Sequence, residues 1–149
     1  MHGIAIKAGT IQEIEKKLFS QPISDLIGKL SYDQRLERVW QLVERCHIDS
    51  DLSLEKAAKF SGVSKNHLNY LLRQTTAFTF HQLLTRYRLL QAMYMMKSKN
   101  YSLLEIALQS GFGSLSAFER NFSTVIGATP LHFRRTGGIA ENFGIFDET

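Results

Sequence analysis

Apolar residues recur at helical intervals along most of the chain. Between Arg35 and Cys46, Leu36, Val39, Trp40 and Val43 fall at i, i+3, i+4 and i+7, which predicts an amphipathic helix with Trp40 as a core anchor. From Phe80 to Met96 there is no glycine or proline, and these 17 residues predict one helix roughly 25 Å long. Leu83, Tyr87, Leu90 and Tyr94 lie along one stripe of it. Met93, Met95 and Met96 thicken the stripe and read as core filler. Nearer the N-terminus, Ile11, Ile14 and Leu18 predict a short helix stopped at Gln21-Pro22. Ile23, Leu26, Ile27 and Leu30 predict another, interrupted at Gly28.

The remaining pattern is written twice. The run from Ser53 to Val63 reappears 49 residues later from Ser102 to Phe112. Gly113 is then inserted and the offset becomes 50, so that Ser64, Leu68 and Leu72 answer Ser114, Phe118 and Phe122, and the run from Ala77 to Phe80 answers that from Gly127 to Pro130. Each copy reads as helix, tight turn, helix. Ser53 and Ser102 are N-cap residues, and Ser102 with Glu105 forms a capping box. Each first helix ends at Ser-Gly, where glycine takes a left-handed conformation at little cost. Ser64 and Ser114 cap the second helices, whose apolar positions are Leu68, Leu71 and Leu72 in one copy and Leu115, Phe118, Phe122 and Val125 in the other. Ala57, Ala58 and Ala107 let the partner helix approach closely.

The expected fold is therefore all-α: two helix-turn-helix subdomains joined by a long linker helix, with a short N-terminal helical extension. Residues 1–30 form the extension, or the remnant of a linker or effector domain, and 31–135 form the tandem unit. Within it the first unit spans about 53–76, the linker helix about 80–97 and the second unit about 102–126. Residues 136–149, opening with Gly137-Gly138, read as an acidic flexible tail.

Charge sharpens this picture. The net charge is +4, but residues 53–135 hold 11 Lys and Arg against three acids (Glu55, Glu105 and Glu119), while the segments before and after are net negative. A basic block flanked by acidic ends attracts a polyanion such as double-stranded DNA. Other chemistry finds little support. His2, His47, His67, His81 and His132 are scattered without metal-ligand spacing, and no glycine-rich phosphate loop occurs, so neither an enzyme, a metal nor a cofactor is expected. The single cysteine, Cys46, excludes an internal disulfide framework and reads as an inert thiol. No apolar run reaches the roughly 18 residues needed to cross a bilayer, and a cytoplasmic location with no membrane partner is expected.

A helix-turn-helix presents the outer face of its second helix to the major groove. In the first copy that face holds Lys65, Asn66, His67, Asn69, Tyr70 and Arg73. Asparagine pairs bidentately with adenine, and Lys or Arg with guanine or phosphate. In the second copy the face holds Ser114, Leu115, Ser116, Ala117, Glu119, Arg120 and Asn121. It is smaller and less charged: Leu115 and Ala117 suit a thymine methyl, Glu119 a cytosine amino group, and Arg120 guanine or phosphate.

These residues resemble the DNA-binding region of the AraC/XylS family of transcription regulators over about residues 33–135. The diagnostic matches are Ile106-Ala107, Gly111-Phe112, Phe118, Phe122, Gly127, Thr129-Pro130 and Phe133-Arg134-Arg135, with Arg88 and Ala92 at the expected places in the linker helix. The resemblance implies a bacterial activator that binds promoter DNA as a monomer or dimer, the homodimer forming through an N-terminal region, and that contacts RNA polymerase. By motif position it places Asn66, His67, Asn69 and Tyr70, and then Leu115, Ser116, Ala117, Glu119 and Arg120, against bases. Leu115 and Ala117 are less polar than in many members. Roughly 30 residues before the tandem unit are too few for the sensor domain many members carry, so the chain reads either as a stand-alone regulator or as the DNA-binding part of a longer one. The competing class is a protein-interaction module, such as an anti-activator, that keeps this fold without gripping DNA.

Overall fold

The computed structural model describes residues 12–98 and 100–136, and among them every regular element is helical. In chain order these are α1 over residues 12–19, α2 (Ile23–Leu30), α3 (Gln34–Cys46), α4 (Leu54–Ser61), α5 (Lys65–Thr76), α6 (Phe80–Met96), α7 (Leu103–Gln109), α8 (Leu115–Ile126) and α9 (Pro130–Arg135). Ile11 and the tail from 137 onward lie outside the described residues.

Ser20, at φ 63°, turns the chain between α1 and α2, and Pro22 leads into α2. The expected interruption at Gly28 does not occur: α2 runs through it. Gly28 is exposed with nothing close to it, so it costs only helix propensity, about 1 kcal/mol, while Leu26 and Leu30 are buried on the opposite side and hold the helix down. With Ile14, Leu18 and Phe19 they join the same core as the rest of the chain, and α2 packs against α3 and α5. At the start of α3, the Asp33 carboxylate accepts from the Arg35 N–H at 2.8 Å and from its guanidinium at 2.7 Å. The Arg35 side chain is the main reason this carboxyl sits at about 2 rather than 3.8.

Both units are built from local signals. Ser53, Ser64, Ser102 and Ser114 each accept a backbone N–H three residues on, and Glu105 completes the capping box. A further capping box, Thr79 with Gln82, starts α6. The serines of the two Ser-Gly pairs, Ser61 and Ser110, are buried and donate their hydroxyls to carbonyls of their own helix. Gly62 (φ 79°) and Gly127 (φ 94°) end α4 and α8 in the left-handed region. The first copy has Ala77 (φ 71°) where the second has Gly127. A side chain in that conformation costs about 1–2 kcal/mol, partly offset by the smaller chain entropy alanine gives up on folding. Ala77→Gly should therefore stabilise the protein by about 0.5–1 kcal/mol in a urea titration; a loss of stability would mean that Ala77 contributes packing its exposed position does not suggest.

The linker helix is buried more widely than one stripe. Phe80, Leu83, Leu84, Leu89, Leu90, Ala92, Met93 and Met96 are all buried, whereas Tyr94 lies at the edge. The reason is its place between the units: α6 packs against α5 on one side and α7 and α8 on the other, so it needs apolar residues on more than one face. Trp40 is buried as expected and meets Tyr87 edge-on at 5.3 Å, and Tyr87 meets the His47 ring at 5.0 Å. Cys46 is half-buried against the core.

A polar joint fastens the units together. Arg88, buried on α6, donates from Nε to the His47 carbonyl and from a terminal nitrogen to the Asp49 carbonyl, both at 2.8 Å. These two acceptors replace the water that burial removes, and burial lowers the guanidinium's pKa from its ordinary value. The turn of the second unit sits on the same loop. A Cβ on Gly111 (φ 98°) would overlap the His47 carbonyl oxygen and come within 2.8 Å of Arg88 Nε, and one on Gly113 (φ 80°) would lie 3.2 Å from the Ser50 side chain. The inserted glycine thus marks where the second turn docks on the first half of the molecule.

Candidate nucleic-acid interface

Helix α5 seats Leu68, Leu72 and Thr76 in the core, and this fixes which side chains face outward. Lys65, Asn66, His67, Tyr70 and Arg73 are all exposed. The Ser64 hydroxyl accepts from the His67 N–H at 3.1 Å, holding the first turn in which Lys65, Asn66 and His67 stand. The rings of His67 and Tyr70 lie parallel, 6.3 Å apart, and Tyr70 keeps 59% of its surface in solvent. An exposed face of two cations, an amide and two stacked rings offers hydrogen bonds, positive charge and a flat apolar surface within about two and a half helical turns.

Asn69 does not share that face in the expected way. It is half-buried, and its Oδ1 accepts from the Phe80 N–H at 2.9 Å. Bidentate pairing with adenine needs that oxygen as its acceptor, and in this structure it caps the linker helix instead.

Helix α8 buries Phe118, Phe122 and Ile126 and turns Ser116, Glu119 and Arg120 outward. Leu115 and Ala117 are half-buried, Leu115 being packed against the core. Asn121 is also half-buried and donates from Nδ2 to the Ala117 carbonyl at 2.8 Å, so its amide is partly spent within the helix. Ser114 is exposed, with its hydroxyl accepting from the Ala117 N–H. The second face is therefore narrower than the sequence suggested, with Ser116, Glu119 and Arg120 as its outward side chains.

The repeat explains part of this inequality. Glu119 occupies the position of Asn69, and Pro130 that of Phe80. Proline at the start of α9 has no N–H to satisfy, so nothing there needs the acceptor that Asn69 supplies to Phe80; Thr129 caps the helix, and Glu119 stays exposed. The sequence pointed Asn69 toward DNA and did not indicate the hydrogen bonds that Asn69 and Arg88 make within the fold. Arg88 carried a signal, a guanidinium inside the long glycine- and proline-free linker helix, but its two carbonyl partners lie 39 and 41 residues away.

A family model described as a helix-turn-helix domain matches residues 57–136, more than half of the chain. The probable transcription factor PqrA of Proteus vulgaris is 34% identical over 86 residues, which cover 58% of this chain and 70% of PqrA. An uncharacterized HTH-type transcriptional regulator of Staphylococcus aureus (strain COL) is 29% identical over 102 residues, and the chain spans only 14% of that regulator's length. Among solved structures, the C-terminal domain of AraT, a response regulator from Geobacillus stearothermophilus, matches with a TM-score of 0.67 at 30% identity, covering 70% of this chain and 86% of that one. The DNA-binding domain of AdpA, a global transcriptional factor solved in complex with a target DNA, matches with a TM-score of 0.63 at 27% identity, covering 70% of this chain and 92% of that one.

Proposed function

Because the chain belongs to the AraC/XylS family of helix-turn-helix transcription regulators, we propose that it binds promoter DNA by placing α5 and α8 in successive major grooves and thereby regulates transcription. Family and fold are those of DNA-binding regulators and not of enzymes. The observation that carries the proposal is the exposed face of α5, where Lys65, Asn66, His67, Tyr70 and Arg73 stand outward on a helix whose other side is locked in the core.

In this reading Asn66 pairs with adenine, Lys65 and Arg73 with guanine or phosphate, and the His67–Tyr70 pair lies against base edges or a thymine methyl. On α8, Arg120 takes guanine or phosphate, Glu119 accepts from a cytosine amino group, and Ser116 with the exposed edge of Ala117 fills the groove floor. Ser114, Leu115 and Asn121 support that helix more than they read DNA. Activation by contact with RNA polymerase, pairing of two copies through an N-terminal region, and a cytoplasmic location follow from the family and belong to the same proposal.

Salt dependence tests it. With about four phosphates neutralised, affinity for duplex DNA should fall on the order of a hundredfold between 50 and 200 mM salt, with log K linear in log salt. Where Arg73 contacts phosphate, Arg73→Ala should make the slope shallower by about one unit. Absence of binding to any duplex at low salt would favour the protein-interaction module or anti-activator instead.

A further inference from the structure

The linker helix is a lever. One unit is fixed near its start, the other packs along it, and its 17 residues span about 25 Å. A tilt of roughly 8° at the start would move the far end by about 3.5 Å, close to the rise of one base pair. Whatever fixes the axis of α6 against the first unit therefore also fixes how far apart along DNA the two recognition helices arrive.

Two hydrogen-bonded pins do so. Asn69, on the recognition helix itself, holds the N–H of Phe80, the first residue of α6. Arg88, eight residues further and about 12 Å along the helix, holds the His47 and Asp49 carbonyls of the loop before α4. Two points determine a line. The neighbouring donors of α6 need no help from Asn69, because Thr79 and Gln82 satisfy each other in the capping box. The matching position in the second unit is unpinned: Pro130 offers no N–H and Glu119 remains exposed. The contact from the preceding helix to the first N–H is present where α6 begins and has no counterpart at the short α9, whose N-cap is Thr129.

We propose that Asn69 and Arg88 are positioning residues that set the base-pair spacing between the two DNA segments the protein reads, Asn69 acting through the linker helix rather than on a base. This rests on the DNA-binding reading above.

The test uses the full chain and a duplex selected by the wild-type protein from a randomised pool, together with the same duplex carrying one base pair inserted between its two protected segments. Wild type should lose roughly tenfold or more on the insertion. Asn69→Ala should lose less than about threefold relative to its own affinity for the parent duplex, because a loosened lever accommodates the extra base pair. Asn69→Asp, which keeps the acceptor, should retain the wild-type spacing preference even if its charge weakens binding to both duplexes alike. Arg88→Lys, which keeps the charge but loses the fork to two carbonyls, should relax spacing as Asn69→Ala does and gives a second reading should Asn69→Ala fold poorly. An insertion penalty in folded Asn69→Ala and Arg88→Lys equal to that of wild type would overturn the inference, as would loss of preference at one base position in Asn69→Ala with spacing unchanged. If wild type selects no sequence from the pool, it is the DNA-binding reading that fails, and that outcome is visible before any variant is made.

Discussion

Gly111→Ala is expected to destabilise the protein by about 4 kcal/mol, a large fraction of the 5–15 kcal/mol that holds a typical domain together. Two effects add. Alanine at φ 98° is strained by about 1–2 kcal/mol wherever it stands. Its Cβ would also overlap the His47 carbonyl oxygen and crowd Arg88 Nε, so the loop must retreat and leave a buried guanidinium short of an acceptor. The midpoint of thermal unfolding should drop by roughly 10 °C. The same origin predicts non-additivity: in an Arg88→Lys background, where the joint is already loosened, the further cost of Gly111→Ala should be visibly smaller. A loss below about 1 kcal/mol in the wild-type background would mean that the second turn does not press on the His47–Asp49 loop.

Phe122→Ala should cost about 3–5 kcal/mol, and the damage should be local. Phe122 has no exposed surface and stands between Phe118 at 5.7 Å and Phe133 at 5.4 Å, with Phe112 beyond Phe118. Removing the middle of this row leaves a cavity that neighbouring rings are too rigid to fill, and it frees α9, which is tied to α8 through the Phe133 ring. Amides of α8 and α9 should lose hydrogen-exchange protection before those of α3 to α5, whose core is built from Leu36, Val39, Leu68 and Leu72. Uniform loss of protection across the chain would show instead that the units unfold only together.

Most of the helices were legible in the sequence because the signals that set them are local. Serine caps, Ser-Gly turns and 3.6-residue apolar spacing act within a turn or two, and α4 to α8 stand where those signals place them. Gly28 misled because its cost is small beside the burial of Leu26 and Leu30. The outward side of α5 was equally readable, since Leu68 and Leu72 determine it by elimination. What escaped depends on contacts across the fold. Asn69 has the chemistry for a base contact, and the Phe80 N–H that its oxygen accepts comes from eleven residues away, beyond any local pattern. Leu115 matched both a core and a groove position, and in the fold it is half-buried against the core. The insertion of Gly113 was visible as a break in the repeat, but its cause, the docking of that turn on Ser50, is tertiary.

That break has a bearing on orientation. One module ends in a pinned lever and a broad cationic face, the other in a proline and a narrow face carrying Glu119 beside Arg120. The halves are not interchangeable, so on the proposed binding mode a duplex that meets both presents two unlike segments in a fixed order. A single bound copy then distinguishes upstream from downstream, as an arrow does and a palindrome cannot.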